Sequence, residues 1–276
     1  MNLTTPLRCG LLATSLALLA SAPASATVLF SDNFNSPDDT VLAGTPGWSR
    51  TTSYPGGVSD QPITVQGGQA VLQAQTSGPG EFVLADAGQS YGLGTQFYVG
   101  FDFTANNLNS MHFLSQLTGD TSGVGAAAAF FYLNSISADS FTAGLYVSST
   151  TGGLEGAATY SIGQTYRVVI EYINSSAPNY GDTTKLYING SLIVSSTTTI
   201  SDDGDLAESR YFVLRQENSS GDYSVGFDNL VIATTFSEAS TAAVPEPSTY
   251  AAVLGGVTLA GVALRRRRRV TVASQV

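Results

Sequence analysis

Seven residues, Phe97-Tyr98-Val99-Gly100-Phe101-Asp102-Phe103, restrict this chain more than any other stretch. On an extended backbone Phe97, Val99, Phe101 and Phe103 share one side, and Tyr98, Gly100 and Asp102 the other. A period of two builds a strand with one buried face; on a helix the same four apolar residues would scatter around the axis. Tyr166-Arg167-Val168-Val169-Ile170-Glu171-Tyr172 repeats the pattern, with Tyr166, Val168, Ile170 and Tyr172 inward. Lys185-Leu186-Tyr187-Ile188 and Ser191-Leu192-Ile193-Val194 flank Asn189-Gly190. Both turn residues accept positive φ, so this is a two-residue hairpin with a type I′ turn. Weaker strands are predicted at Val28 to Phe34, Ile63 to Val65, Ala70 to Gln75, His112 to Leu117, Ala126 to Leu133, Phe141 to Val147, Tyr211 to Gln216 and Tyr223 to Ile232. Twenty-nine glycines against 11 Lys plus Arg, with Ser and Thr throughout, make poor helix chemistry and good strand-and-turn chemistry. No repeat of fixed period is present, which argues against propellers and solenoids. The fold class is therefore all-β, an antiparallel two-sheet sandwich over 27–238 followed by a linker at 239–244.

The two ends are of different kind. Met1 to Ala26 carries Arg8, an apolar stretch from Gly10 to Ala20, and the small residues Ala24-Ser25-Ala26. That is the anatomy of a signal peptide cut after Ala26, with Ala24 and Ala26 framing the cleavage site. An uncleaved anchor is the competing reading, but the apolar run is well short of the ~20 residues a spanning helix needs. The single cysteine, Cys9, leaves with the signal, so neither disulfides nor thiol chemistry serve the mature protein.

At the other end Pro245-Glu246-Pro247 precedes an uncharged run from Tyr250 to Leu264, followed at once by Arg265, Arg266, Arg267, Arg268 and Arg269. As a helix, Tyr250 to Leu264 rises about 22 Å. Ser248 and Thr249 extend it and arginine side chains snorkel, so it makes a single transmembrane helix with the arginines and a tail at 270–276 in the cytoplasm. A buried core helix with a basic cap is the alternative, and an apolar run abutting five arginines has no place in a packed core. This tail resembles the PEP-CTERM sorting signal over 245–269, with all three parts in order. The resemblance implies recognition of Pro245, Glu246 and Pro247 by an exosortase, a membrane-embedded cysteine protease of bacteria that make exopolysaccharide. It also implies a membrane-held precursor at the inner membrane that then passes to the cell surface or extracellular matrix. Residues Thr271 to Val276 continue past the point where many members stop.

The net charge is −10, and removing both termini takes away arginines and leaves the ectodomain more acidic still. Such a surface excludes a nucleic-acid partner, repels anionic polymers and attracts divalent cations. Leu29-Phe30-Ser31-Asp32-Asn33-Phe34, Val65-Gln66-Gly67-Gly68-Gln69-Ala70-Val71-Leu72, the strand at Tyr166, the Asn189-Gly190 hairpin and Val225-Gly226-Phe227-Asp228-Asn229-Leu230-Val231-Ile232 come in an order similar to the concanavalin A-like, laminin-G-like jelly rolls. That resemblance implies the fold; its members include lectins, glycoside hydrolases and adhesive domains, so it does not choose an activity.

The chemistry is mostly negative. Glycosidases of this fold carry paired carboxylates on one strand, and no Glu-x-Asp occurs here. Glu171 stands alone on its strand, and Glu81 and Asp86 fall on opposite strand faces. His112, the only histidine, cannot build a His-rich zinc site. No catalytic residue is assigned. Trp48 and Tyr54 are the candidate glycan-stacking rings, the competing reading being that Trp48 plugs the end of the sandwich. If the first and last strands lie side by side, Asp32 and Asp228 approach and are the candidate ligands of a structural calcium; turn caps are the competing reading. Asp202-Asp203-Gly204-Asp205 reads as solvated turn carboxylates. Three functions then compete: an exported, non-catalytic surface or matrix protein binding glycan or exopolysaccharide, a divergent glycoside hydrolase or lyase, and a purely structural or adhesion protein.

Overall fold

The computed structural model describes residues 26–51, 61–75, 80–91, 94–119, 127–146, 153–173, 182–198, 209–216 and 222–241. Its strands, in chain order, are β1 Val28–Asp32, β2 Trp48–Arg50, β3 Thr64–Gln66, β4 Gln69–Gln73, β5 Glu81–Tyr91, β6 Gln96–Asn107, β7 Met111–Thr118, β8 Ala127–Ser137, β9 Ser140–Tyr146, β10 Gly153–Glu155, β11 Tyr160–Ser161, β12 Thr165–Ile173, β13 Asp182–Ile188, β14 Ser191–Thr198, β15 Ser209–Gln216 and β16 Ser224–Ala233. A short helix, α1 Phe236–Ser240, follows. The first sheet has the order β14-β13-β12-β6-β16-β4-β3, with β1 also on β16; the second has the order β10-β9-β8-β7-β15-β5-β2, with β11 on β9. Every pairing is antiparallel, which gives the expected two-sheet sandwich of jelly-roll type.

The alternation in β6 and β12 works as the sequence predicts. Val99, Phe101, Phe103, Val168, Ile170 and Tyr172 are all buried in the main core. Phe101 of the first sheet packs on Phe131 and Phe212 of the second at ring-centroid distances of 5.5 and 5.6 Å, and on its neighbour Phe227 at 5.1 Å. Each buried ring contributes roughly 1.5–3 kcal/mol, so this cluster holds the two sheets face to face. Asn189 and Gly190 adopt φ of 50° and 77° and join β13 to β14 through the expected turn. Five elements were not among the predicted strands: β2, β5, β10, β11 and α1. Of these, β2, β10 and β11 are two or three residues long, too short to show a period, whereas β5 runs for eleven residues.

The outer face of the first sheet is covered locally by α1, which touches β6, β12 and β16. Thr235 caps it, its hydroxyl accepting from the Glu238 N–H at 3.4 Å and donating to the Glu238 carboxylate at 3.1 Å. The expected linker at 239–244 therefore starts too early, because Ala239 is fully buried and the Thr241 carbonyl is hydrogen-bonded to Arg167. The folded body runs at least to Thr241. No helix among the described residues is long and apolar enough to cross a membrane. Residues 1–25 of the expected signal peptide, the run from Tyr250 to Leu264 and Arg265 to Arg269 lie outside the described residues.

Candidate ligand site on the outer face of the second sheet

Strand alternation turns Phe212 and Leu214 of β15 into the core and leaves Tyr211, Val213 and Arg215 on the other face. Register then decides who meets whom. Arg215 lies opposite Phe82 of β5, Phe130 of β8 opposite Gln116 of β7 and Tyr146 of β9, and Phe113 opposite Tyr132. The Arg215 guanidinium carbon stands 5.1 Å from the centroids of Phe82 and Phe130 and 5.8 Å from that of Phe113. Its Nη1 donates to Gln116 Oε1 at 3.1 Å. Phe113, Phe130 and Tyr146 meet edge to face at 5.7 to 6.0 Å. Phe113, Phe130, Tyr146 and Arg215, all half-buried, line a cavity of about 290 Å³. Beside it Tyr132 is buried, and burial together with the negative Glu155 raises its hydroxyl pKa, so it stays protonated at neutral pH.

This arrangement offers flat apolar rings, one fixed planar cation and one phenol. Ring faces stack on the C–H face of a sugar, and a guanidinium held over aromatics donates in one orientation. Volume places the cavity at the small end of ligand sites. None of the four lining residues is a carboxylate or an imidazole.

The residues singled out in the sequence go elsewhere. Trp48 is 4% exposed and packs on Phe30 and Phe34 at 5.9 and 5.8 Å, so its ring faces are covered and the glycan-platform expectation is corrected. Its indole N–H donates to Asp32 Oδ2 at 2.7 Å, while Asp32 Oδ1 accepts from the Phe34 N–H at 2.7 Å. β1 does lie beside β16, with Asp32 opposite Leu230, whereas Asp228 sits opposite Asp102 of β6. Burial chiefly raises the Asp228 carboxyl pKa, and the charges of Asp102 and Asp32 add to it; the Asn229 N–H and Arg167 pull it the other way. Among the described residues no three His, Cys, Asp or Glu side chains gather into a metal-holding group. Both Asp32 oxygens already serve protein donors, so the geometry adds nothing to the calcium expectation.

The two buried glutamates among the described residues are structural ties. Glu81 pairs with Arg50 at 2.8 Å and accepts from the Ile63 N–H. Glu171 collects Gln96, Lys185 and the Tyr187 hydroxyl at 2.7 to 3.0 Å on the outer face of the first sheet. His112 stacks on Tyr223 at 4.2 Å and contacts Ser110 and Asn109. Desolvation pushes its imidazole pKa down to about 4, so it is neutral at physiological pH. Tyr54, Ala24, Asp202 to Asp205 and Pro245 to Pro247 lie outside the described residues; Ala26 is the first described residue. Sequence reasoning missed Arg215 and its rings. Alternation in Tyr211 to Gln216 places Arg215 outward, but nothing in one strand says which aromatics flank it.

No curated protein matches this chain. Among solved structures, a variant of the alginate lyase Aly36B in complex with an alginate trisaccharide shares 13% identity, with 62% of this chain and 84% of that chain covered and a TM-score of 0.48. A non-specific endo-β-1,3(4)-glucanase of family GH16, SCLam, shares 11%, with 76% and 92% covered and a TM-score of 0.49. An endo-β-1,4-glucuronan lyase from Trichoderma reesei shares 14%, with 79% and 100% covered and a TM-score of 0.46. At these identities the likeness is one of general shape. The tail is different in kind: residues 243–268 match the PEP-CTERM protein-sorting motif, which marks the chain as an exported protein sorted by an exosortase.

Proposed function

We propose that the protein is a surface or matrix component that holds an exopolysaccharide without cleaving it, through the cavity formed by Phe113, Phe130, Tyr146 and Arg215. The observation that carries this reading is the lining itself: stacking rings and a fixed donor, with no carboxylate pair of the kind glycoside hydrolysis requires. The net charge of −10 favours a neutral glycan over a polyanion, because the acidic surface opposes the approach of a negative polymer and Arg215 supplies only one positive charge at the cavity. In this reading a hexose unit lies against Phe130 and Tyr146 while the guanidinium donates to its hydroxyls.

Titration of the exported protein with neutral and uronate-rich polysaccharides tests it. Tyr146→Ala and Arg215→Ala are each expected to weaken neutral-glycan binding at least ~10-fold, or about 1.4 kcal/mol. Tyr146 is only half-buried, so its variant should melt closer to the parent than one that deletes a fully buried ring. Binding that survives both substitutions would remove this face as the site. Absence of binding to every glycan would leave the adhesion or scaffold role. Release of reducing ends by the parent protein, abolished by Tyr146→Phe, would replace binding with catalysis.

A further inference from the structure

The ectodomain ends in a latch, and the sorting motif starts two residues beyond it. Arg167 of β12 reaches out from the first sheet and gathers the C-terminal arm. Its Nε and Nη2 donate to the Ala239 carbonyl at 3.1 and 2.6 Å, and Nη2 donates to the Thr241 carbonyl at 2.7 Å. Its Nη1 donates to the Asn229 carbonyl at 2.8 Å and to Asp102 Oδ1 at 3.3 Å. Asp102 Oδ2 in turn accepts from Asn229 Nδ2 at 2.8 Å, holding the bulge where Asn229 adopts a φ of 50°. A helix C-terminus leaves carbonyls without partners, and here one half-buried arginine serves them in place of further chain.

Two further contacts seat the same arm. Gly100 of β6 lies directly beneath it, and a Cβ there would collide with the Ala239 carbonyl. Phe236 fills the space between Tyr187 and Tyr98 at 4.8 and 6.0 Å. Gly100, a poor strand former, is the floor for residues 236–241, and Arg167 is their clasp.

The consequence is a length. The sorting motif occupies residues 243–268, so Pro245 stands four residues after the clasped Thr241. Four residues of fully extended chain span at most about 14 Å. A folded body of roughly 210 residues has a radius of gyration of about 17 Å, so it is wider than the tether is long. A membrane-embedded protease must therefore reach Pro245-Glu246-Pro247 from beneath a bulky domain. Thr234 stays hydrogen-bonded to Thr27, so opening the latch frees the chain from Thr235 to Thr241 and adds about 25 Å of reach. We propose that the Arg167 latch is a tether control on sorting: while it holds residues 239 and 241, it keeps the motif close to the folded ectodomain and slows exosortase processing. A tethered reaction with a linker too short for its span gains from lengthening, which sets the expected direction. This rests on exosortase sorting of the chain.

Pulse-chase of the full-length protein in its exporting cell, following precursor and processed forms, tests the latch. Arg167→Ala and Gly100→Ala open it from opposite sides, and eight Gly and Ser residues inserted after Thr241 lengthen the tether with the latch intact. All three are expected to speed processing about three-fold or more. Protease resistance of the ectodomain checks that each variant remains folded, and the insertion leaves the packed body untouched. Unchanged or slower processing in the insertion variant overturns the proposal. So does acceleration by insertion with parental rates in both latch variants. Replacing Pro245, Glu246 and Pro247 with alanine serves as the control. If that variant matures normally, the sorting reading itself fails; if it accumulates as precursor, the latch result stands on its own.

Discussion

Trp48→Ala is expected to destabilise the ectodomain by about 3–5 kcal/mol, the range for deleting a buried aromatic. Three losses coincide at this position. The ring leaves a cavity between Phe30 and Phe34, and two aromatic contacts near 6 Å disappear. Asp32 Oδ2 also loses its indole donor at the junction of β1 and the loop before β2. For a domain of this size each kcal/mol moves the melting temperature by about 2–4 °C, so the midpoint should fall by roughly 6–20 °C. Trp48→Phe keeps most of the packing and drops the hydrogen bond, so it should lie between parent and alanine. Glycan binding at a temperature where the variant stays folded should match the parent. A Trp48→Ala protein that melts normally but no longer binds glycan would restore the ring to the surface role that its sequence position allowed.

The second large effect is on pH dependence and comes from His112. Its folded pKa lies at about 4 against an ordinary value of 6.5, because burial penalises the imidazolium. In the unfolded chain the imidazole takes up a proton near pH 6.5, and in the folded protein it refuses one until about pH 4. The neutral-imidazole preference thus contributes fully above pH 6.5 and is lost as pH falls through that window. The loss amounts to roughly 2–3 kcal/mol. Among the described residues the ring contacts Tyr223, Ser110 and Asn109, none of them charged. Unfolding free energies of the parent and of His112→Gln, measured from pH 7.5 to pH 4, isolate this contribution from the carboxylates. The parent should lose the additional 2–3 kcal/mol relative to the variant. Parallel curves would mean that the imidazole is solvated in the folded state.

Strand positions and faces were readable because they depend on spacing within one segment. Phe97 to Phe103 and Tyr166 to Tyr172 could bury their apolar sets in only one way, and Asn189-Gly190 could close only one kind of turn. The same locality explains what stayed open or was misread. Trp48 follows a Gly- and Pro-rich loop, where a stacking ring and an end plug were both open; it is buried because Phe30 of β1 and Phe34 just after that strand cover it. Ala239 reads as linker, and it is buried because Gly100 and Arg167, far back in the chain, have made room for its backbone.

By itself the sequence determined the fold class, from period-two alternation, and the match to a sorting motif, because that motif is a linear run of residues. Only the tertiary structure decided the candidate site and the latch. Arg215 draws its three aromatic faces from β5, β7 and β8, and Arg167 binds carbonyls more than sixty residues away. The physical reason is that alternation specifies which way a side chain points, whereas pairing order and register specify what it meets. In an antiparallel sandwich those partners arrive from distant strands, and no window of a single chain segment contains both halves of the contact.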